Sequence, residues 1–183
     1  MTNTDDYRDV ETLNLYKELV NEKGVDPKEM IKVIHAKSRD NARTPMQWNN
    51  SHQAGFTTGT PWIKVNPNYI EINVAQALAD PDSVFYYYKK LIQLRKENPI
   101  MVYGNYDLIL DSHEEIYAFT RTLKDDRLLV ILNFSDHSPA FNLPNNITFT
   151  TSELLMSNYK VDSPDDIHGI TLRPYEARVY RLS

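Results

Sequence analysis

Two arginines, Arg39 and Arg43, stand four positions apart in the run Lys37-Ser38-Arg39-Asp40-Asn41-Ala42-Arg43-Thr44-Pro45-Met46-Gln47-Trp48. A guanidinium presents five donors in a rigid plane, so it suits fixed, multidentate hydrogen bonding to hydroxyl or carboxylate oxygens. Trp48 adds a flat apolar face on which a sugar ring can stack. The same residues also suit a structural task, in which the arginines tie a loop to its domain through carboxylates and carbonyls. Residue types alone leave both readings open. Asp40 is placed to pair with one of the arginines. Asp5, Asp6, Asp9 and Glu11 form a local acid cluster and read as the solvated start of a helix, since acids favour that end. His35 and His52 have no second ligand at metal spacing, so no metal site is expected. The chain has no cysteine, which excludes disulfides and thiolate sites.

The elements that must position these residues follow from periodicity. Between Asp5 and Glu22, Tyr7, Val10, Leu13, Leu15, Tyr16, Leu19 and Val20 recur at helical spacing, and Gly24 supplies the stop. Asp26-Pro27 is a cap followed by a first-turn proline; it predicts a second helix through Met30, Ile31, Val33 and Ile34 that ends before Asp40. Residues 41–68 break every period, with Pro45, Gly55, Gly59, Pro61 and Pro67 as punctuation. Trp48 and Trp62 argue against disorder there, so the stretch reads as an ordered functional loop. Asp80-Pro81-Asp82-Ser83 opens the next helix, about residues 82–97, which carries Lys89, Lys90, Arg95 and Lys96 toward its C-terminal end and stops at Asn98-Pro99.

Beyond Met101 the pattern changes to short strands: 106–110, 116–121, 127–134, 140–143, 150–156 and 177–182. The run 127–134 is nearly all apolar, as a central strand should be. Strands at this spacing predict an antiparallel sandwich or barrel, with the domain boundary near residues 98–104. The aromatic residues of this half fall mainly at strand-core positions.

Composition excludes several partners. The formal net charge is −5, so nucleic acid and anionic membranes are poor matches. No apolar run approaches the roughly 18 residues of a membrane span. Met1-Thr2-Asn3-Thr4-Asp5-Asp6 lacks the basic and apolar regions of a secretory signal, and cytoplasmic location is the expectation. The 12 tyrosines suit sugar sites and ordinary cores alike.

The arginine run closely resembles the motif near the end of the catalytic domain in α-glucosidases of glycoside hydrolase family 13, of the oligo-1,6-glucosidase and dextran glucosidase type. The similarity extends through Gln53-Ala54-Gly55-Phe56-Thr57, residues 61–69 and 83–92, and Thr171-Leu172-Arg173-Pro174-Tyr175-Glu176. It covers essentially the whole chain.

The resemblance implies an α+β fragment: the C-terminal end of a (β/α)8 TIM barrel, followed by an all-β antiparallel sandwich domain. Residues 1–98 would be the tail of the barrel, with an active-site loop at 37–69 and the last helix at about 82–97. Residues 101–183 would be the C-terminal β domain. Met1-Thr2-Asn3 resembles an internal point of the family, which implies truncation.

Family chemistry is retaining hydrolysis by a carboxylate nucleophile and an acid. Those acids lie upstream in the family pattern, so the expected catalytic set in this chain is empty and the chain alone is expected to be inactive. By resemblance, Arg39 binds the terminal glucose, and Arg43 supports a neighbouring subsite or holds the loop. Trp48 and Trp62 read as loop core rather than stacking platforms. No cofactor is implied, and the implied partner is an α-glucoside oligosaccharide, with α-1,6 bonds as the expected target. A trehalose-6-phosphate hydrolase and a noncatalytic carbohydrate-binding or interaction module stay open as alternatives. Apolar helix faces made for barrel strands predict exposed patches and self-association.

Overall fold

The computed structural model describes residues 3–161 and 166–183; the first two residues of the Met1-Thr2-Asn3 expectation lie outside them. The chain divides into two compact units, Met1–Tyr86 and Tyr87–Ser183.

In the first unit a 3-10 turn, Thr4–Asp6, precedes α1, Val10–Tyr16, which runs on as a π-helical stretch, Lys17–Glu22. The single helix expected from Asp5 is therefore broken at its start. Tyr7 takes an extended backbone, and its ring is buried with Met30 and Ile34. Asp9 then caps α1 by accepting the Thr12 N–H. Gly24, at φ +72°, ends the element in the left-handed region that favours glycine. α2, Pro27–Lys37, is capped by Asp26 as expected, and Met30 and Ile34 share its inward face.

Backbone bonds help to order the loop beyond α2, in which Ala54, Ile63 and Val65 are buried. Gln53, Ala54 and Gly55 are all left-handed, and the Ala54 carbonyl accepts the N–H groups of both Trp48 and Asn49. Val74 and Ala75 donate to the carbonyls of Gln47 and Trp48. The Gln47 amide donates to the carbonyl of Ile72. These bonds stitch the loop to α3, Val74–Ala79, a helix too short for its period to show in sequence. Trp48 and Trp62 are 49% and 62% exposed, which corrects their reading as loop core. α4, Val84–Glu97, spans the division between the units and buries no residue fully.

Among the described residues, the second unit holds α5, Ile100–Tyr103, and seven strands. These are β1 Asn105–Ile109, β2 Ile116–Leu123, β3 Asp126–Asn133, β4 Ala140–Asn142, β5 Ser152–Ser157, β6 Gly169–Thr171 and β7 Ala177–Leu182. One sheet has the order β1-β2-β3-β7-β5 and the other pairs β4 with β6, all antiparallel. β3 is central, as its apolar run requires.

Residues of both sheets share one core that includes Ile116, Leu129, Ile131, Phe141, Ile170 and Tyr180. Glu176 and Arg178 are also buried and pair at 2.8 Å, so neither charge is left unmatched. Arg121 donates to the carbonyls of Ile100, Val102 and Gly104 and so closes the C-terminal end of α5. The aromatic residues are not mainly in the core: Tyr103, Tyr106, Tyr117, Phe134, Tyr159 and Tyr175 are exposed. In β2 they fall on the alternate positions that face away from the core.

Candidate substrate-binding site

The turn that carries the arginines is set by Ser38. The backbone turns extended there, and the Ser38 hydroxyl accepts the Asp40 N–H at the start of the 3-10 turn Arg39–Ala42. Asp40 is fully buried, and its Oδ2 accepts the backbone N–H groups of Arg8 and Asp9 at 2.6 and 2.7 Å. Its Oδ1 has no hydrogen-bond partner among the described residues, and Arg43 Nη1 lies 3.8 Å from it. Asp40 thus pairs chiefly with backbone and only loosely with an arginine.

Those two bonds hold Asp9 against Arg39. Arg39 Nη2 lies 3.0 Å from Asp9 Oδ1 and 3.0 Å from Glu11 Oε2. Arg43 Nη1 approaches the same Asp9 oxygen at 3.7 Å. On the other side of Asp9, Oδ2 accepts the Thr12 hydroxyl at 2.9 Å, and that hydroxyl also bonds Ser38 Oγ at 2.9 Å.

Burial pushes the Asp9 carboxyl upward. The Thr12 hydroxyl and N–H, with the Arg39 guanidinium, outweigh it, and the net direction is down. Asp9 is therefore held ionised. With only 6% exposure it is not part of a solvated helix start, which corrects that expectation. Glu11 stays exposed but is also paired.

The structure brings Arg39, Arg43 and Asp40 together with Ser38 of the same run and adds Asp9 and Thr12, which lie outside it. The spacing of Asp9 and Thr12, a cap three residues ahead of a hydroxyl, is the signal that identifies them. A groove of about 370 Å³ runs beside the Asp9–Arg39 pair between α1 and α2, and Arg39 stands more than half exposed at it. Such a group can offer donors to sugar hydroxyls while two carboxylates fix its plane. Among the described residues no set of three or more His, Asp or Glu side chains converges as a metal ion needs. No helix among them is long and apolar enough to cross a membrane.

Residues 1–104 match the model of the α-amylase catalytic domain. The chain belongs to the α-amylase family. Residues 116–179 match the C-terminal domain of the α-amylase SusG, consistent with the antiparallel β unit described above. The chain is 61% identical over 178 residues to an oligo-1,6-glucosidase of Parageobacillus thermoglucosidasius, covering 97% of this chain and 32% of that protein. It is 45% identical to a trehalose-6-phosphate hydrolase of Bacillus subtilis, covering all of this chain and again 32% of the relative. The crystal structure of a Bacillus licheniformis trehalose-6-phosphate hydrolase superposes with a TM-score of 0.94 at 47% identity, over 100% of this chain and 33% of that one. This α-amylase family chain thus spans about a third of the length of the relatives it matches.

Proposed function

We propose that this chain is the substrate-gripping part of a retaining α-glucosidase that hydrolyses terminal α-1,6-glucosidic bonds in short oligosaccharides. Residues 1–98 are the end of its (β/α)8 barrel, and residues 101–183 are its C-terminal β domain. Arg39 binds the terminal glucose, and Arg43 backs the same carboxylate and steadies the loop. The bond-breaking acids belong to the part of the relatives' length that this chain does not span.

The observation that carries the reading is the Arg39 guanidinium, clamped by Asp9 and Glu11 yet open to a groove. Identity of 61% to an oligo-1,6-glucosidase supports the substrate class. Titration with isomaltose tests it: Arg39→Ala weakens binding at least about tenfold, the loss of one charge-assisted hydrogen bond. Undiminished binding by that variant would put the sugar elsewhere.

The likeness to trehalose-6-phosphate hydrolases favours a second reading. In it the two arginines take a phosphorylated disaccharide. Trehalose-6-phosphate would then bind the chain more tightly than isomaltose, with a steep fall as salt rises.

A further inference from the structure

The outward face of the five-stranded sheet offers sugar chemistry in a second place, independent of the arginines. Tyr106 on β1 and Tyr117 and Phe119 on β2 form a chain of rings with centroids 5.2 and 5.6 Å apart. Phe134, just past β3, extends the chain to Tyr117 at 6.4 Å. The Tyr106 and Tyr117 hydroxyls meet at 2.8 Å, which fixes both rings. Tyr106, Tyr117 and Phe134 are 48%, 41% and 69% exposed, a contiguous aromatic surface that the core does not use.

A groove of about 540 Å³ opens beside these rings, bordered by Tyr117, Phe134, His113, Glu114 and Asp111. Its polar edge is built by the β1–β2 connection. Leu110 adopts a left-handed φ of +57°, an uncommon conformation for a side chain with a β-carbon, and its carbonyl accepts the His113 N–H at 2.9 Å. His113 Nδ1 accepts the N–H groups of Glu115 and Ile116 at 3.2 and 3.0 Å. The neutral ring therefore carries its proton on Nε2 and is a donor there. Glu115 is held by His137 at 2.8 Å, while Asp111 and Glu114 present acceptors.

Flat apolar faces, one imidazole donor and two carboxylate acceptors around a single groove match the C–H faces and hydroxyls of a hexose. The acids on the rim oppose a phosphorylated or otherwise anionic ligand. We propose that this groove is a noncatalytic binding site for the glucosyl units of a neutral oligosaccharide, which stack on Tyr117 and Phe134 and hydrogen-bond to Glu114 and His113.

The test is aromatic carbon–proton NMR of the 183-residue chain during titration with isomaltotriose and maltotriose. Tyr117 and Phe134 resonances shift saturably, and Phe134→Ala weakens the binding read at Tyr117 about tenfold. Glu114→Gln, which keeps the side-chain volume, weakens it too. Arg39→Ala leaves these shifts unchanged, which separates this site from the arginine site. Trehalose-6-phosphate gives no saturable shift at these rings.

Three outcomes would overturn the proposal. The first is silent rings at sugar on the order of tens of millimolar, where even weak sites fill. The second is binding that Phe134→Ala, still folded by its methyl spectrum, does not change. The third is ring shifts that follow protein concentration rather than sugar, which would make the face a contact between copies.

Discussion

Asp9 is the residue on which the arginine cluster turns, and its ionisation gives a sign that can be checked. Its carboxyl is held below the ordinary range of about 3.9. A group with a lowered folded pKa contributes stability above its unfolded pKa and loses it as pH falls through the folded value. The difference in urea midpoint between the natural chain and Asp9→Asn is therefore constant from neutrality downward and shrinks below about pH 4. Asp40 acts through backbone instead. Its replacement by Ala strips two charge-assisted bonds from Arg8 and Asp9 and costs about 3 kcal/mol, read as a lower urea midpoint. His137 gives the opposite sign, since its hydrogen bond to Glu115 raises it above the ordinary imidazole value of 6.5. What it contributes is complete below the unfolded value and fades as pH rises through the folded one. In an NMR titration His137 has its midpoint above 6.5, and Glu115→Gln moves it back down.

Among the elements, the loop between α2 and α3 carries three consecutive left-handed residues, Gln53, Ala54 and Gly55. Gly55 is left-handed at φ +65°, and a β-carbon there would sit 2.6 Å from the Asn49 side chain. Gly55→Ala is expected to destabilise by about 2 kcal/mol and to speed proteolysis within residues 46–57. Gly24→Ala, with nothing near its site, costs only about 1 kcal/mol, from conformation alone. The contrast separates crowding from dihedral strain. Local grammar made α2 legible in sequence, since Asp26-Pro27 fixes its start and Met30 and Ile34 mark its buried face. Long strands such as β3 were legible for the same reason. α3, α5 and β6 are each too short to show a period, and the break at Tyr7 is decided by burial of one ring against α2. The arginine run could be read directly, whereas its partner Asp9 stands 30 positions from Arg39 and meets it only in the folded chain.

At the scale of the whole chain, apolar surface and the ionisation of the arginine cluster's acid lead to paired expectations. Val84, Tyr88 and Ile92 of α4, with Trp48, Trp62 and Ile72, stand exposed among the described residues. Faces of this kind associate in water, so the sedimentation coefficient rises with protein concentration in the micromolar range. A concentration-independent monomer would remove that expectation. Retaining hydrolysis needs a nucleophile and a proton-donating acid about 5 Å apart. The best-placed acid of the arginine cluster, Asp9, is held ionised by Thr12 and Arg39, so it cannot donate a proton to a leaving oxygen. Removing Arg39 would free that carboxylate but would also remove the group proposed to hold the sugar. Both the natural chain and Arg39→Ala are thus expected to release no nitrophenol from a nitrophenyl α-glucoside, even where isomaltose binds. Turnover that scales with chain concentration and survives further purification would show that a complete acid pair lies within these 183 residues.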